Sequence, residues 1–303
     1  MGVMTHAAAG KAADDGVNDA VVALSMAALR DLGIEVEAVD DPEYGDVFLL
    51  GPDGERYFLQ NLVAACRTLP ESEWSAHIGT HFARHLEGRS APDAEELSEP
   101  DLLTEVRTRL QPVEVGADPQ LSMTYARRFS DDLVTHLCRD LPTTVETLTD
   151  SSLQGRDLDL LYQAGQRNTD AEPYATQQIP VDGTPGITAL VGDSFFIATK
   201  ALNMRRIIAT ELGEAEHGVV FSVPHRHLLM VHPVTNLKST LAVKEMVGYT
   251  LGQVAEAPGG NISPHTYFWY GDQVQQITRI DPDENSMVIE SQGMFGDALA
   301  LFS

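Results

Sequence analysis

The stretch that most constrains the fold is Val219–Val234, VVFSVPHRHLLMVHPV. Val219 to Val223 is β-branched and aromatic with no charge, which predicts a buried strand. Pro224 has no N–H to give to a ladder, so it belongs at a strand end, a bulge or an edge. His227 to Val231 predicts a second strand or a continuation of the first. In extended backbone, His225 and His227 share one face and Arg226 takes the other.

The chain around this stretch reads as α+β, with mixed or antiparallel sheets and packed helices in two lobes. Residues 1–16 are small and polar and predict no structure. Residues 17–115 form the first expected lobe. Val17–Gly33 has helical periodicity with a glycine stop, and Ile34–Val39 alternates as a strand. Asp46–Leu50 and Arg56–Gln60 predict a hairpin across Gly51–Gly54 (GPDG), a strong turn signal. Asn61–Arg67 is helical. Thr68–Glu71 (TLPE) predicts a capping box opening a helix to about Leu86. After a polar connector at Gly88–Glu96, Ser98 predicts the cap of a helix over Glu99–Leu110. Pro112–Met123 is loop-like and is the expected lobe boundary.

Residues 125–303 form the second expected lobe. Asp132–Cys138 and Thr144–Leu148 predict strands on either side of Leu141 and Pro142, and Leu158, Leu161, Tyr162 and Gly165 have helix spacing. Gln177–Val181 and Ile187–Val191 flank a turn. Ser194 predicts the cap of a helix with Ile197, Ala201, Met204 and Ile208 inward. A helix is expected from Asn236 to Val254, with Gly259 and Gly260 at its end. His265–Ser303 reads as strands, punctuated at Gly271–Asp272 and Asp281–Asp283.

Charge narrows the partner. The 45 acidic against 20 basic residues give −25 over 303 residues, which argues against nucleic acid and anionic membrane. From Ala201 to Thr250 the balance is near neutral, with five basic and four acidic residues. No signal-peptide pattern opens the chain, and no run of 18 apolar residues occurs. Only Cys66 and Cys138 carry thiols, too few for a disulfide framework. A cytoplasmic protein with reduced, buried cysteines is expected, bound to no cofactor. Its expected partner is another protein; the acidic surface could suit a basic one, although bulk solubility is the simpler reading of the charge.

Several motifs resemble the YtpQ-like family of uncharacterised bacterial proteins, a domain-of-unknown-function family. They are the strand Asp131–His136 (DDLVTH), the helix end Ala164–Asn168 (AGQRN), Gly192–Phe196 (GDSFF) before a long helix, and Val223–Arg226 (VPHR). The last is similar to that family's proline-x-arginine turn, although His227 stands where an acidic residue is expected. The resemblance covers about a third of the chain well and implies an intracellular α+β protein without implying an activity.

Each candidate site competes with a structural reading. His225 and His227 could chelate a metal with His232, His265 or Asp193 as third ligand, but nothing in the spacing completes the set. Hydrogen-bonded imidazoles at a strand end are the simpler reading. His77, His81 and His85 form a ladder on one helix face, with Ile78 and Phe82 inward. No Glu follows either leading histidine, so this is not a zinc-protease motif, and a solvated face is expected. Arg205, Arg206 and Arg226 could form an anion pocket, or could pair with the acidic surface. Arg226 is expected to be structural, holding the turn through carbonyls or a carboxylate such as Asp193. Cys138 reads as core. Tyr267–Tyr270 (YFWY) reads as sheet packing or as a binding surface. Phosphate-loop, dinucleotide and nucleophile-elbow motifs are absent. The reading that follows is a non-catalytic, adaptor- or chaperone-like protein-binding module. The competing one is a metal-dependent hydrolase acting through His225, Arg226 and His227.

Overall fold

The apolar run becomes two antiparallel strands, β10 (Val219–Ser222) and β11 (Leu228–Pro233), paired from Val219↔Pro233 to Ser222↔Met230. They lie at the centre of a six-stranded antiparallel sheet. Its order is β13 (Gln273–Gln276), β12 (Thr266–Tyr270), β10, β11, β9 (Ile187–Val191), β8 (Ala175–Ile179). Both faces are covered, which is why the run is apolar without alternation. On one face Val219, Phe221, Leu229, Val231 and Tyr267 pack against Ile197, Ala201, Met204 and Ile207. On the other, Val220, Met230 and Phe268 pack against α8 (Ser239–Ala255) and α9 (Gly293–Ala300) through Ala242, Val243, Met246 and Phe295.

This computed structural model describes residues 5–40, 47–52, 54–89, 92–116, 122–141, 144–255, 257, 261–281 and 286–303. The chain divides into two compact units, Met1–Ala91 with Leu141–Thr144 and Pro92–Asp140 with Val145–Ser303. The class is α+β.

In the first unit, α1 (Thr5–Asp31) is followed by a three-stranded antiparallel sheet of β1 (Glu37–Asp40), β2 (Val47–Leu50) and β3 (Arg56–Phe58). The hairpin closes as the turn chemistry predicts, with Leu50↔Arg56 paired and Gly54 at φ +84°. Helices α2 (Gln60–Thr68) and α3 (Glu71–Arg89) complete a core of Leu29, Leu49, Tyr57, Cys66, Ile78 and Phe82. The leading residues differ from expectation, because α1 begins at Thr5, inside the stretch read as unstructured.

In the second unit, α4 (Glu99–Glu105) is capped by Ser98 as expected, its side chain accepting from the Asp101 N–H. It does not run on to Leu110. Val106, Thr108 and Leu110 are buried and alternate with half-buried Arg107, Arg109 and Gln111, forming β4 (Val106–Pro112). β4 pairs along its full length with β6 (Leu133–Asp140). That pairing puts Pro112 inside a sheet, so the division falls at 91/92 and not between 112 and 123. The one-turn α5 (Val113–Gly116), β5 (Arg127–Arg128) and β7 (Val145–Thr147) complete this region, both short strands pairing with β6.

Helix α6 (Leu158–Ala171) is capped by Asp157 and packs on β4 so closely that a Cβ at Gly165 would lie 3.0 Å from the Arg107 carbonyl carbon. The helix expected after Ser194 is irregular. A 3-10 segment, Ala198–Asn203, leads into α7 (Met204–Ile207) and then a π turn, Ile208–Leu212. Asn203 causes the break, because its side chain caps the Arg206 N–H and binds Asp170 at 2.6 Å. Lys200 is fully buried, and its ammonium donates to the Thr169 and Asp170 carbonyls at 2.9 and 3.0 Å, the negative end of α6. A hairpin of β14 (Thr278–Asp281) and β15 (Ser286–Ile289) precedes α9, whose helical character was not expected. Parts of several expected features lie outside the described residues: residues 1–4, Asp46, Asp53, 90–91, 117–121, Pro142, Gly259, Gly260 and 282–283.

Candidate functional site

The junction between β10 and β11 is a turn. The Leu228 N–H donates to the His225 carbonyl at 3.1 Å. The Val223 and Pro224 carbonyls accept from Ser263 and Ile262, so the buried proline sits at a strand end, where its missing donor costs nothing. Because the backbone turns here, Arg226 does not point away from the histidines. Its Nε donates to His227 Nε2 at 2.9 Å.

The two imidazole rings lie 6.1 Å apart, and all four ring nitrogens are committed. His225 Nε2 faces Gln253 Oε1 at 3.1 Å, and its Nδ1 accepts the His227 backbone N–H. His227 Nδ1 donates to the Gly192 carbonyl at 3.1 Å, which leaves Nε2 as the acceptor for Arg226. Burial first, and the Arg226 charge second, push His227 down to about 4. Burial also lowers His225. Both rings are held neutral with no lone pair left to give a cation. His232 lies opposite Val220 within β11 and donates to the Gly186 carbonyl, while His265 faces Thr278 Oγ1 at 3.4 Å. Asp193 is exposed. Among the described residues no three His, Cys, Asp or Glu side chains are grouped to hold a metal ion.

Arg226 is anchored differently from expectation. Its guanidinium carbon lies 4.1 Å from the centre of the Phe195 ring, and among the described residues no carboxylate pairs with it. Phe195 also meets the His227 ring edge-on at 5.5 Å. Gly192 permits this arrangement, since a Cβ there would lie 2.9 Å from the Pro173 carbonyl oxygen. Arg205 is not part of the site. It forms a bidentate pair with Asp272, Nε–Oδ1 2.8 Å and Nη2–Oδ2 2.5 Å, in solvent. Arg206 is exposed beside Asn203, so the three arginines do not form one anion pocket. The arginine that acts electrostatically on Arg226 is Arg109 of β4, which sequence reasoning placed on a helix and passed over.

The remaining candidates resolve as structure. In the histidine ladder His77 is exposed, but His81 and His85 are half-buried. His85 pairs with Glu55 at 3.0 Å, and burial first brings His81 down to about 4. The aromatic run has no outward face, because Tyr267 and Phe268 are both fully buried and only Tyr270 is exposed. Tyr267 shares a 2.5 Å hydrogen bond with Asp132 and another with Ser263. Cys66 and Cys138 are free and buried, and burial pushes the Cys138 thiol up to about 12, which leaves it unreactive. A cavity of about 410 Å³ is bounded by Thr108, Arg127, Phe129, Tyr162 and Gln166. Both of its arginines are engaged, Arg127 with Asp159 at 2.5 Å and Arg128 with the Asp131 carbonyl.

The outward face of α8 carries the surface that the sequence did not single out. Leu241 is 47% exposed and Tyr249 45%, while Leu237, in the turn opening the helix, is 46% exposed. At about 100° per residue, Leu241, Gly248 and Gly252 project in nearly one direction, flanked by Lys244 and Glu245. Nothing lies within 4 Å of where a Cβ would stand on either glycine. Leu241 and Gly248 are equally distant from the midpoint between Lys244 and Glu245, as are Leu237 and Gly252.

No family model, curated protein or solved structure matches this chain. Among the described residues no helix is long and apolar enough to cross a membrane.

Proposed function

We propose that this chain is a non-catalytic protein-binding module that engages through the outward face of α8, and that the occupant this face fits is a second copy of the chain. The observation that carries the reading is the near-symmetry of the face about Lys244 and Glu245. A two-fold antiparallel pairing sets each Leu241 over the open Gly248 of the other copy and each Lys244 beside the other's Glu245. Such a patch is self-complementary, as a two-fold interface requires. Charge supports the same occupant. Two chains of −25 repel, and this helix lies in the near-neutral stretch where repulsion is least.

Binding and not catalysis is favoured because the imidazoles that would have served a hydrolase are held neutral and hydrogen-bonded within the turn. In this reading the module is cytoplasmic and adaptor- or chaperone-like, and the acidic remainder of its surface is left for a basic client.

Sedimentation equilibrium tests the reading. Wild type is expected to dimerise in the micromolar range and Leu241→Glu to be monomeric with an unchanged circular dichroism spectrum. Wild type that is monomeric throughout, or a Leu241→Glu chain that still dimerises, overturns it.

A further inference from the structure

Two half-buried guanidinium groups in the second unit have no counter-charge among the described residues. Arg226 is held from behind, with its ring partner Phe195 beneath it and its Nε on His227. Its Nη1 and Nη2 make no hydrogen bond to any described residue. Arg109 makes no hydrogen bond or ion pair to any described residue, and neither arginine has a carboxylate among the charges acting on it. The backbone brings them to one place. The Ala198 N–H donates to the Arg226 carbonyl at 3.2 Å, and the Leu110 N–H donates to Thr199 Oγ1 at 3.1 Å. The residue after Arg109 and Arg226 itself are therefore fastened to consecutive residues of the same 3-10 turn. Arg109 depresses Arg226 toward about 10, second only to burial.

That arrangement is costly by itself. Desolvated cations normally sit against carboxylates, and this chain has 45 of them. Two buried or half-buried arginines of the second unit show this outcome, Arg107 with Glu172 and Arg139 with Glu105 and Glu146, and a third, Arg156, is satisfied by the Ser152, Ala94 and Leu97 carbonyls. A fork whose inner edge is fixed and whose outer edge is free, beside a second unpaired guanidinium, has the chemistry of an oxyanion receptor.

We propose that Arg226 and Arg109 together bind a phosphate-type dianion, whose two charges match the two guanidinium groups. His227 and Phe195 are positioning residues that aim the fork. The imidazole Nε2 has to remain an unprotonated acceptor to do so. The site is separate from the α8 face and stands or falls without it.

Phosphorus-31 NMR and thermal melting of the full chain, with inorganic phosphate as the probe, test this against potassium chloride at equal ionic strength. Wild type is expected to broaden the phosphate signal and to melt higher in phosphate than in chloride. Arg226→Gln and Arg109→Gln are each expected to weaken phosphate binding about tenfold or more. Without phosphate, Arg109→Gln is expected to melt no lower than wild type, because it relieves the repulsion and breaks no hydrogen bond to a described residue. Arg226→Lys keeps the charge and loses the fork, so it is expected to bind more weakly than wild type, and it serves if Arg226→Gln does not fold. O-phosphoserine in place of phosphate separates the sources: equal binding means an ester is accepted, and binding of phosphate alone means the free ion. Equal stabilisation by chloride or by acetate overturns the proposal, as does undiminished phosphate binding by the Arg109→Gln chain.

Discussion

Arg139 holds three pieces of the second unit together, and its removal should cost more than any surface charge. It is 1% exposed. Its Nε and Nη2 meet Glu105 Oε2 at 2.9 and 2.8 Å, and its Nη1 meets Glu146 Oε2 at 2.6 Å and the Pro92 carbonyl at 3.0 Å. These contacts tie the end of α4, strand β7 and the start of the unit to β6. Arg139→Met keeps much of the volume but leaves two carboxylates and a carbonyl without their donor. Breaking a buried pair costs about 3–5 kcal/mol. Both glutamates are about a third exposed, so water recovers part of this, and about 2–4 kcal/mol is the expected loss. Trp74 reports on the first unit and Trp269 on the second, so urea melts in a Trp74→Phe background follow the second unit alone. Arg139→Lys should fall between the two, since one ammonium cannot reproduce the fork. A loss under about 1 kcal/mol for Arg139→Met would refute the reasoning.

Acid should destabilise the second unit before its carboxylates are fully protonated. Burial first, then the Arg109 charge, lowers His136 from 6.5 to about 4. The folded state then binds this proton less readily than the unfolded one. The contribution is complete above about 6.5 and is lost as pH falls toward 4, by roughly 3 kcal/mol for a group this buried. Imidazole NMR titration reads it directly, and a His136 midpoint near 6.5 would contradict it. Gly218 has φ +93° and a Cβ there would lie 2.4 Å from Phe268 Cζ and 2.7 Å from the Trp269 carbonyl oxygen. Gly218→Ala is expected to cost roughly 2–4 kcal/mol, against about 1 kcal/mol for Gly213→Ala, whose φ is +77° with nothing within 4 Å. Equal melting temperatures for the two variants would show that the Phe268 contact does not carry the difference.

The parts of the fold legible in the sequence are those decided locally. The β-branched run Val219–Val223, the glycine turn at Gly54 and the Ser98 cap each fix the backbone without a distant partner. Val106–Pro112 was not legible, because Ser98 opens a helix and Leu102, Val106 and Leu110 continue its period. Its strand character comes from pairing with β6, which no local pattern contains. Helix α9 was obscured by the strands before it, although Phe295, Ala298 and Leu299 have helix spacing. At the site, Arg226 and both histidines were legible as unusual chemistry inside an apolar run. Gly192, Phe195 and Arg109 were not, since each reaches the turn from a remote part of the chain. The helical pattern of Glu99–Leu110 hid Arg109 as well, because only the pairing of β4 with β6 sets its side chain's surroundings.

Cross-linking tests the α8 pairing most directly. Chains carrying Leu241→Cys are mixed with chains carrying Gly248→Cys and oxidised gently; the native Cys66 and Cys138 are buried and do not compete. Antiparallel pairing about Lys244 and Glu245 predicts rapid formation of the mixed disulfide, with little of either homodisulfide. Absence of the mixed species, or the three dimers in statistical proportion, would contradict the pairing.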